Sequence, residues 1–204
     1  MQGTTLHCCF TLLLLVLLSA CGQPAKLTPL RSDAVILAFG DSLTYGTGAA
    51  KAQSYPAVLA AITGRKVINA GVPGEVTAAG LERLSRLLKQ YDPDLLILCH
   101  GGNDILRKLN LAQTKNNLQQ MVQLAKAQNT DVILIGVPKL GIFLSALPMY
   151  ADLAETANLP IENDIIAHIE GSLSLKSDHI HPNAAGYRKM AEAIVELMID
   201  RGAL

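Results

Sequence analysis

This 204-residue chain has few aromatic residues and no excess of either positive or negative charge. Tryptophan is absent and aromatic residues make up 4% of the chain, which argues against a carbohydrate-binding platform built from stacked rings. Lysine and arginine total 17, as do aspartate and glutamate, so the formal net charge is zero. Without a basic excess or a run of basic residues, the sequence gives no indication of nucleic-acid binding.

Cysteine is also scarce, and the positions of the four cysteines are informative. Cys8 and Cys9 lie in a leucine-rich N-terminal segment, Cys21 directly follows it, and Cys99 stands alone in the rest of the chain. A single remaining cysteine cannot form an intramolecular disulfide. Because Cys99 ends an apolar run, we expect it to be an inert core thiol and not a nucleophile.

The N-terminal segment has the features of an export signal. Residues 10–18 are almost entirely leucine, a stretch too short to span a membrane but of the right length for a signal-peptide core. Leu-Ser-Ala-Cys at residues 18–21 resembles the lipobox of bacterial lipoproteins, in which cleavage precedes a cysteine that becomes lipidated. Residues 1–11 contain no lysine or arginine, which is unusual for a signal, so an ordinary cleaved signal and an uncleaved anchor stay open as alternatives.

These features divide the chain into three parts. Residues 1–20 are predicted to be a lipoprotein signal peptide, residues 21–33 a tether that begins at a lipidated Cys21, and residues 34–204 one domain. Such a protein would be anchored to a membrane of the bacterial cell envelope. Fully extended, the tether could span roughly 40 Å at about 3.3–3.6 Å per residue.

Short apolar runs alternate with amphipathic segments along the rest of the chain. Runs rich in β-forming residues begin near residues 34, 66, 95 and 131, with a weak fifth run near Ile161. Amphipathic helices are predicted between them and in a last segment from Ala184 onward. Strands that alternate with helices predict an α/β fold, a three-layer α/β/α sandwich around a mainly parallel five-stranded sheet.

Four short motifs follow predicted strands or precede the last helix. Gly-Asp-Ser-Leu at residues 40–43 ends the first strand, Gly71 follows the second, and Gly-Gly-Asn-Asp at residues 101–104 follows the third. Residues 178–182 read Asp-His-Ile-His-Pro, in which the aspartate can reach back to the second imidazole and leave its Nε2 free for a serine hydroxyl. The carboxyl ends of parallel strands meet at one edge of the sheet, where open α/β sheets bind ligands. Gly-x-Ser-x-Gly, the elbow of the α/β-hydrolases, is absent.

In order and spacing, these four motifs resemble the four blocks of the SGNH, or GDSL, hydrolases, and the resemblance covers essentially residues 34–200. It implies a flavodoxin-like α/β/α fold and covalent serine catalysis without a metal or a cofactor. By this resemblance the catalytic residues are Ser42, Asp178 and His181. The implied oxyanion hole consists of the Ser42 N–H, the Gly71 N–H and the Asn103 side-chain amide.

The resemblance also suggests a substrate. Within the family the chain is similar to the compact bacterial esterases, arylesterases, thioesterases and lysophospholipases, so a small-molecule acyl ester is the expected substrate. Six large apolar residues in the loop at 140–149, and leucines that follow Asn103, predict an acyl-chain groove. The residues assigned to this groove are Leu106, Leu109, Leu140, Ile142, Phe143 and Leu144. The alternative, that both segments simply cap the core, stays open.

Three polar residues in or next to the motifs are interpreted as structural. Asp41 and Asp104 are expected to fix loops as hydrogen-bond acceptors, and His100 to be a satisfied histidine at a strand end. His179 and His181 could in principle chelate a metal, but no further ligand cluster completes a usual zinc site, and we predict none.

Two other functions are compatible with the same residues and fold. A carbohydrate O-deacetylase of the cell envelope would use the same machinery on acetyl groups alone. A non-catalytic lipoprotein that binds an envelope partner would keep the fold without the reaction.

Overall fold

A parallel sheet forms the centre of the computed structural model, which describes residues 25–139 and 145–204. In the described chain five strands lie in the order β2-β1-β3-β4-β5, and every neighbouring pair is parallel. The strands are β1 (Val35–Gly40), β2 (Lys66–Gly71), β3 (Leu95–Cys99), β4 (Asp131–Ile135) and β5 (Ile161–Glu162). The predicted five-stranded parallel sheet is confirmed.

Eight α-helices of the described residues flank this sheet. They are α1 (Ser42–Tyr45), α2 (Tyr55–Thr63), α3 (Thr77–Tyr91), α4 (Gly102–Leu106), α5 (Leu111–Lys126), α6 (Pro148–Ala157), α7 (Ile165–Glu170) and α8 (Ala184–Asp200). β2 lies on one side of β1, and β3, β4 and β5 lie on the other. Because crossovers between parallel strands are right-handed, helices that connect strands in the two directions lie on opposite faces of the sheet. Accordingly α2 packs against α8, and α3 packs against α5, which gives the three predicted layers.

The apolar pattern explains these elements. β3 is buried along its whole length, as expected of a central parallel strand that is covered on both faces. In α3, Leu84 and Leu88 are fully buried one turn apart, and the helix ends at Asp92, whose φ of 42° is left-handed. The sequence predicts this end correctly because Pro93 disfavours a helical Asp92.

The chain joins the domain earlier than predicted. Leu27 and Leu30 are buried, and their N–H groups donate to the carbonyl oxygens of Arg201 at 2.9 Å and Ala203 at 2.8 Å. The prediction of a free tether over residues 21–33 is therefore wrong from Leu27 onward. The proline-containing composition of this segment favours a linker, but its two leucines cover apolar surface beside Arg201 and Ala203.

This first packed segment lies at the amino ends of the strands. The Thr28 N–H donates to Asp131 Oδ2 at 2.6 Å, and Asp131 is the first residue of β4. Ser42, in contrast, follows the carboxyl end of β1. No helix in residues 25–139 and 145–204 has both the length and the apolar character that crossing a bilayer requires. The predicted signal peptide (residues 1–20) and Cys21 lie outside the described residues.

Candidate active site

Ser42 lies where the sheet changes direction. β1 pairs with β2 on one side and with β3 on the other. The connection that follows β1 and the connection that follows β3 therefore run to opposite sides of the sheet, which leaves a crevice at the carboxyl end of β1. Ser42 begins α1, and Asp41 caps that helix by accepting the Leu43 N–H at 3.1 Å. The preceding Gly40 is required because a Cβ there would approach Cys99 O to 1.9 Å. The sharp turn after β1 thus presents Ser42 to the crevice.

Three of the predicted site residues form one hydrogen-bonded chain. His181 Nε2 lies 3.0 Å from Ser42 Oγ, and His181 Nδ1 lies 2.8 Å from Asp178 Oδ2. Asp178 Oδ1 also accepts the N–H groups of Ile180 and His181, both at 2.7 Å. One carboxylate therefore holds both the loop and the imidazole ring.

The electrostatics of Asp178 favour its ionised form. Desolvation raises the pKa of Asp178, but the His181 side-chain hydrogen bond and the two backbone N–H donors outweigh it and lower the pKa to about 2. An ionised carboxylate accepts the Nδ1 proton of His181, which leaves Nε2 as the acceptor for the Ser42 hydroxyl. Because the folded pKa is depressed, the stability that this carboxylate contributes is present above its ordinary pKa and is lost as the pH falls through about 2.

Asn103 lies on α4, after the carboxyl end of β3. Its Nδ2 donates to Glu75 O at 3.0 Å and to Asp41 Oδ2 at 3.2 Å. The neighbouring Asp104 accepts both the N–H of Thr77 at 2.9 Å and its hydroxyl at 2.6 Å, which ties this loop to the start of α3. Asp41 and Asp104 are thus the loop-fixing acceptors that the sequence predicts.

A partly buried ion pair holds in place the segment whose carbonyl oxygen accepts a hydrogen bond from Asn103. Glu75 Oε1 lies 2.7 Å from Arg83 Nε, and Arg83 Nη2 also donates to carbonyl oxygens at the ends of β1 (3.1 Å) and β2 (2.8 Å). Desolvation raises the pKa of Glu75, yet hydrogen bonds from His100 and Arg83 outweigh it and hold the pKa below its usual value. His100 is fully buried, with Nε2 3.1 Å from Glu75 Oε2, and is satisfied as predicted.

Gly71 does not belong to this group of residues. Its N–H donates to Asn69 Oδ1 at 3.0 Å, and it lines a separate surface depression. A Cβ on Gly71 would approach Tyr45 N to 2.0 Å, so close packing of β2 against α1 is what requires glycine there. The prediction that the Gly71 N–H is an oxyanion donor is therefore wrong. Gly74, three residues further on, lines the pocket beside Ser42 instead.

The pocket beside Ser42 and His181 has a volume of about 280 Å³. Leu106 lines this pocket as predicted, whereas Leu109 does not line it and is 43% exposed. The reason is that α4 ends at Leu106 and the chain then turns at Lys108, whose φ is 55°. The apolar residues that line the pocket are Leu43, Pro73, Ile105, Leu106, Val137, Pro138 and Ile180. The remaining predicted groove residues, Leu140, Ile142, Phe143 and Leu144, lie outside the described residues.

One charged residue of the pocket is missing from the sequence-based prediction. Glu170, the last residue of α7, lines the pocket wall and is 8% exposed. Its Oε2 is buried and has no hydrogen-bond partner among the described residues. Burial raises the pKa of Glu170 to about 7, and the nearby Lys176 offsets this only in part.

Other candidate residues lie apart from this chemistry. Cys99 is fully buried, and burial raises the pKa of its thiol well above the usual value, so it is the inert core thiol that we expect. Within the part of the chain that the structure describes, no three His, Cys, Asp or Glu side chains are grouped to hold a metal ion.

Known proteins share both the sequence and the fold. Residues 38–189 match the family model of the GDSL-like lipase/acylhydrolases. Esterase TesA of Pseudomonas aeruginosa is 31% identical over 192 residues, which cover 88% of this chain and 94% of that protein. Thioesterase 1/protease 1/lysophospholipase L1 of Escherichia coli K12 is 36% identical over 104 residues, half of each chain. The crystal structure of the esterase EstA from Pseudoalteromonas sp., inhibited by monoethylphosphonate, matches with a TM-score of 0.72 and 25% identity over 82% of this chain and 98% of that one.

The matched region includes every motif on which the resemblance depends, from the strand before Ser42 to the helix after His181. The five-stranded parallel sheet agrees with the solved neighbours over nearly their whole length. The chain therefore belongs to the GDSL-like lipase/acylhydrolase family, as its four motifs predict.

Proposed function

We propose that this protein is a serine esterase that hydrolyses carboxylic acyl esters, with thioesters and lysophospholipids as related substrates, through a covalent intermediate on Ser42. The observation that carries the proposal is the chain of hydrogen bonds from Asp178 through His181 to Ser42 Oγ, at 2.8 and 3.0 Å. Relatives named esterase, thioesterase and arylesterase support the same reaction class.

The first half of the reaction acylates Ser42. Its Oγ attacks the ester carbonyl while the hydroxyl proton passes to His181 Nε2, and Asp178 remains ionised beside the imidazolium that forms. The C–O bond of the tetrahedral intermediate then breaks, and His181 gives the proton to the departing alkoxide. In the second half, His181 takes a proton from water as the water oxygen attacks the acyl-serine carbonyl. The bond from the acyl carbon to Ser42 Oγ then breaks, His181 returns the proton to Oγ, and the carboxylic acid leaves.

The oxyanion hole consists of the Ser42 N–H, the Gly74 N–H and the Asn103 amide in this proposal. Neither N–H donates to an acceptor within residues 25–139 and 145–204, and both residues line the pocket. The Asn103 amide already has two acceptors, and the longer bond, to Asp41 at 3.2 Å, is the one that a developing oxyanion would replace. Gly74 takes the place that the sequence analysis gave to Gly71.

Ser42→Ala should lower kcat for p-nitrophenyl butyrate by at least about 10⁴-fold, because no other group supplies the nucleophile. The melting temperature and the circular dichroism spectrum should match those of the wild type. Ser172→Ala removes a surface hydroxyl outside the pocket and should keep full activity. A Ser42→Ala enzyme with a tenth of the wild-type kcat would contradict the covalent mechanism. A folded wild-type protein that hydrolyses no ester would favour a non-catalytic binding protein.

Asn103→Ala should lower kcat about 10²–10³-fold with little change in KM, because one oxyanion donor is lost. The matched control is Asn69→Ala, which frees the Gly71 N–H from its present acceptor. Since Gly71 lies outside the pocket, Asn69→Ala should change kcat by less than about threefold. Equal losses in the two variants would contradict the role of Asn103 as a specific oxyanion donor.

The apolar wall of the pocket supports acyl chains longer than acetyl. Each methylene buried there contributes about 0.8 kcal/mol, or about fourfold in affinity. We expect kcat/KM for p-nitrophenyl esters to rise from acetyl to hexanoyl, and Leu106→Ala to reduce hexanoyl turnover more than acetyl turnover. Leu109→Ala, outside the pocket, is the control that should leave this ratio unchanged. A steep fall beyond acetyl would favour the carbohydrate O-deacetylase instead.

We further propose that the protein is a lipoprotein of the bacterial cell envelope, anchored through Cys21. The support is the Leu-Ser-Ala-Cys sequence at residues 18–21, together with the packed segment that starts at Leu27. From Cys21 to Leu27 the chain can extend at most roughly 20 Å. Since this segment lies at the amino ends of the strands, the pocket of Ser42 would open on the side away from the anchoring membrane.

In bacteria grown with an alkyne fatty acid, the wild-type chain should carry the label and sediment with membranes, because Cys21 accepts the lipid. Cys21→Ala should lose both the label and the membrane association. The control is Cys99→Ala, which should keep the label because Cys99 lies in the core. A wild-type chain that is unlabelled, or a labelled Cys21→Ala chain, would overturn the anchor.

A further inference from the structure

Glu170 occupies an unusual position for a carboxyl group. It forms part of the wall of the pocket that contains Ser42 and His181, a wall to which Val137, Pro138 and Ile180 also contribute. Only 8% of its surface is exposed, so water hydrates it poorly. In a pocket that binds only apolar acyl chains, an apolar residue would be expected at this position.

The carboxyl group of Glu170 lacks partners among the described residues. Oε2 is fully covered and accepts no hydrogen bond, and Glu170 forms no ion pair with Lys176 or any other described cation. A buried polar group without a partner is unfavourable, and native proteins generally satisfy such groups with protein, water or ligand. The carboxyl plane rotates easily, so either oxygen can be presented to the cavity.

We propose that Glu170 determines substrate specificity by accepting a hydrogen bond from a hydroxyl group that the substrate carries away from its scissile ester. This inference rests on the proposed esterase function and names the class of ester that the pocket prefers. The donor could belong to the acyl part, as in a hydroxyacyl ester, or to the alcohol part, as in a monoacylated diol. In both cases the substrate supplies the partner that the protein does not.

The same physics predicts discrimination against wholly apolar substrates. A methyl group in place of the hydroxyl would displace water from the carboxyl without replacing the hydrogen bond. Sites built to bind a substrate hydroxyl reject the analogue that lacks it far more strongly than apolar pockets distinguish one methylene. Glu170 would therefore set the ratio of turnover between hydroxyl and methyl isosteres, while the chain length sets the overall binding.

The test compares isosteric pairs of esters by titration of the released acid. For the acyl arm the pair is ethyl 6-hydroxyhexanoate and ethyl heptanoate, and for the alcohol arm it is 2-hydroxyethyl butyrate and propyl butyrate. Wild type, Glu170→Leu and Glu170→Gln are compared, because leucine removes the hydrogen bond at similar volume and glutamine retains it. The matched control is Glu155→Leu, which alters an exposed glutamate on α6 outside the pocket.

In one arm of the test, acyl or alcohol, kcat/KM for the hydroxyl ester divided by kcat/KM for its methyl isostere should fall at least about tenfold from wild type to Glu170→Leu. It should stay close to the wild-type ratio in Glu170→Gln and Glu155→Leu. The arm that responds identifies the part of the substrate that carries the donor. Thermal unfolding of each variant establishes that it is folded.

Changes below twofold in both arms for a folded Glu170→Leu would overturn the inference about Glu170 and leave the esterase function intact. Absence of hydrolysis of any ester by the wild type would overturn the proposed function itself. The two failures are therefore distinguishable.

Discussion

The hydrogen bond between His181 Nε2 and Ser42 Oγ joins residues that are 139 positions apart, and the rest of the site depends on it. Ser42 is fixed by β1 and the turn at Gly40, whereas His181 lies just before α8. A buried tyrosine connects the two regions, since the Tyr187 hydroxyl of α8 donates to Thr47 O at 2.7 Å. This hydrogen bond and the packing of α8 on α2 hold the two regions together.

The other half of the site depends on the ion pair between Arg83 and Glu75, next to the carboxyl ends of β1 and β2. Arg83 joins the ends of β1 and β2 to Glu75, and the Glu75 carbonyl accepts from Asn103. The guanidinium also lies 4.0 Å above the Phe39 ring, which favours its burial. We infer that this ion pair holds the turn at Gly74 in position against Asn103.

The sequence was sufficient to predict a parallel five-stranded sheet and the serine, histidine and aspartate that meet at its carboxyl edge. Those features follow from apolar runs and short motifs, which are local signals. Gly71 and Gly74 are both turn glycines by sequence, and only the Asn69 contact shows that the first N–H is already occupied. Glu170 carries no motif, since α7 has six residues and its burial arises from tertiary packing. The burial of Leu27 and Leu30 also arises from tertiary packing, because their partners Arg201 and Ala203 lie at the far end of the chain.

The most direct test of this account is a crystal structure of the protein after reaction with a fluorophosphonate. A phosphonyl adduct has the tetrahedral geometry of the intermediate, so its oxygen marks the oxyanion position. The account predicts a bond from phosphorus to Ser42 Oγ, with that oxygen about 3 Å from the N–H groups of Ser42 and Gly74 and from the Asn103 amide. Failure to form the adduct, or an oxygen directed at Gly71, would contradict it.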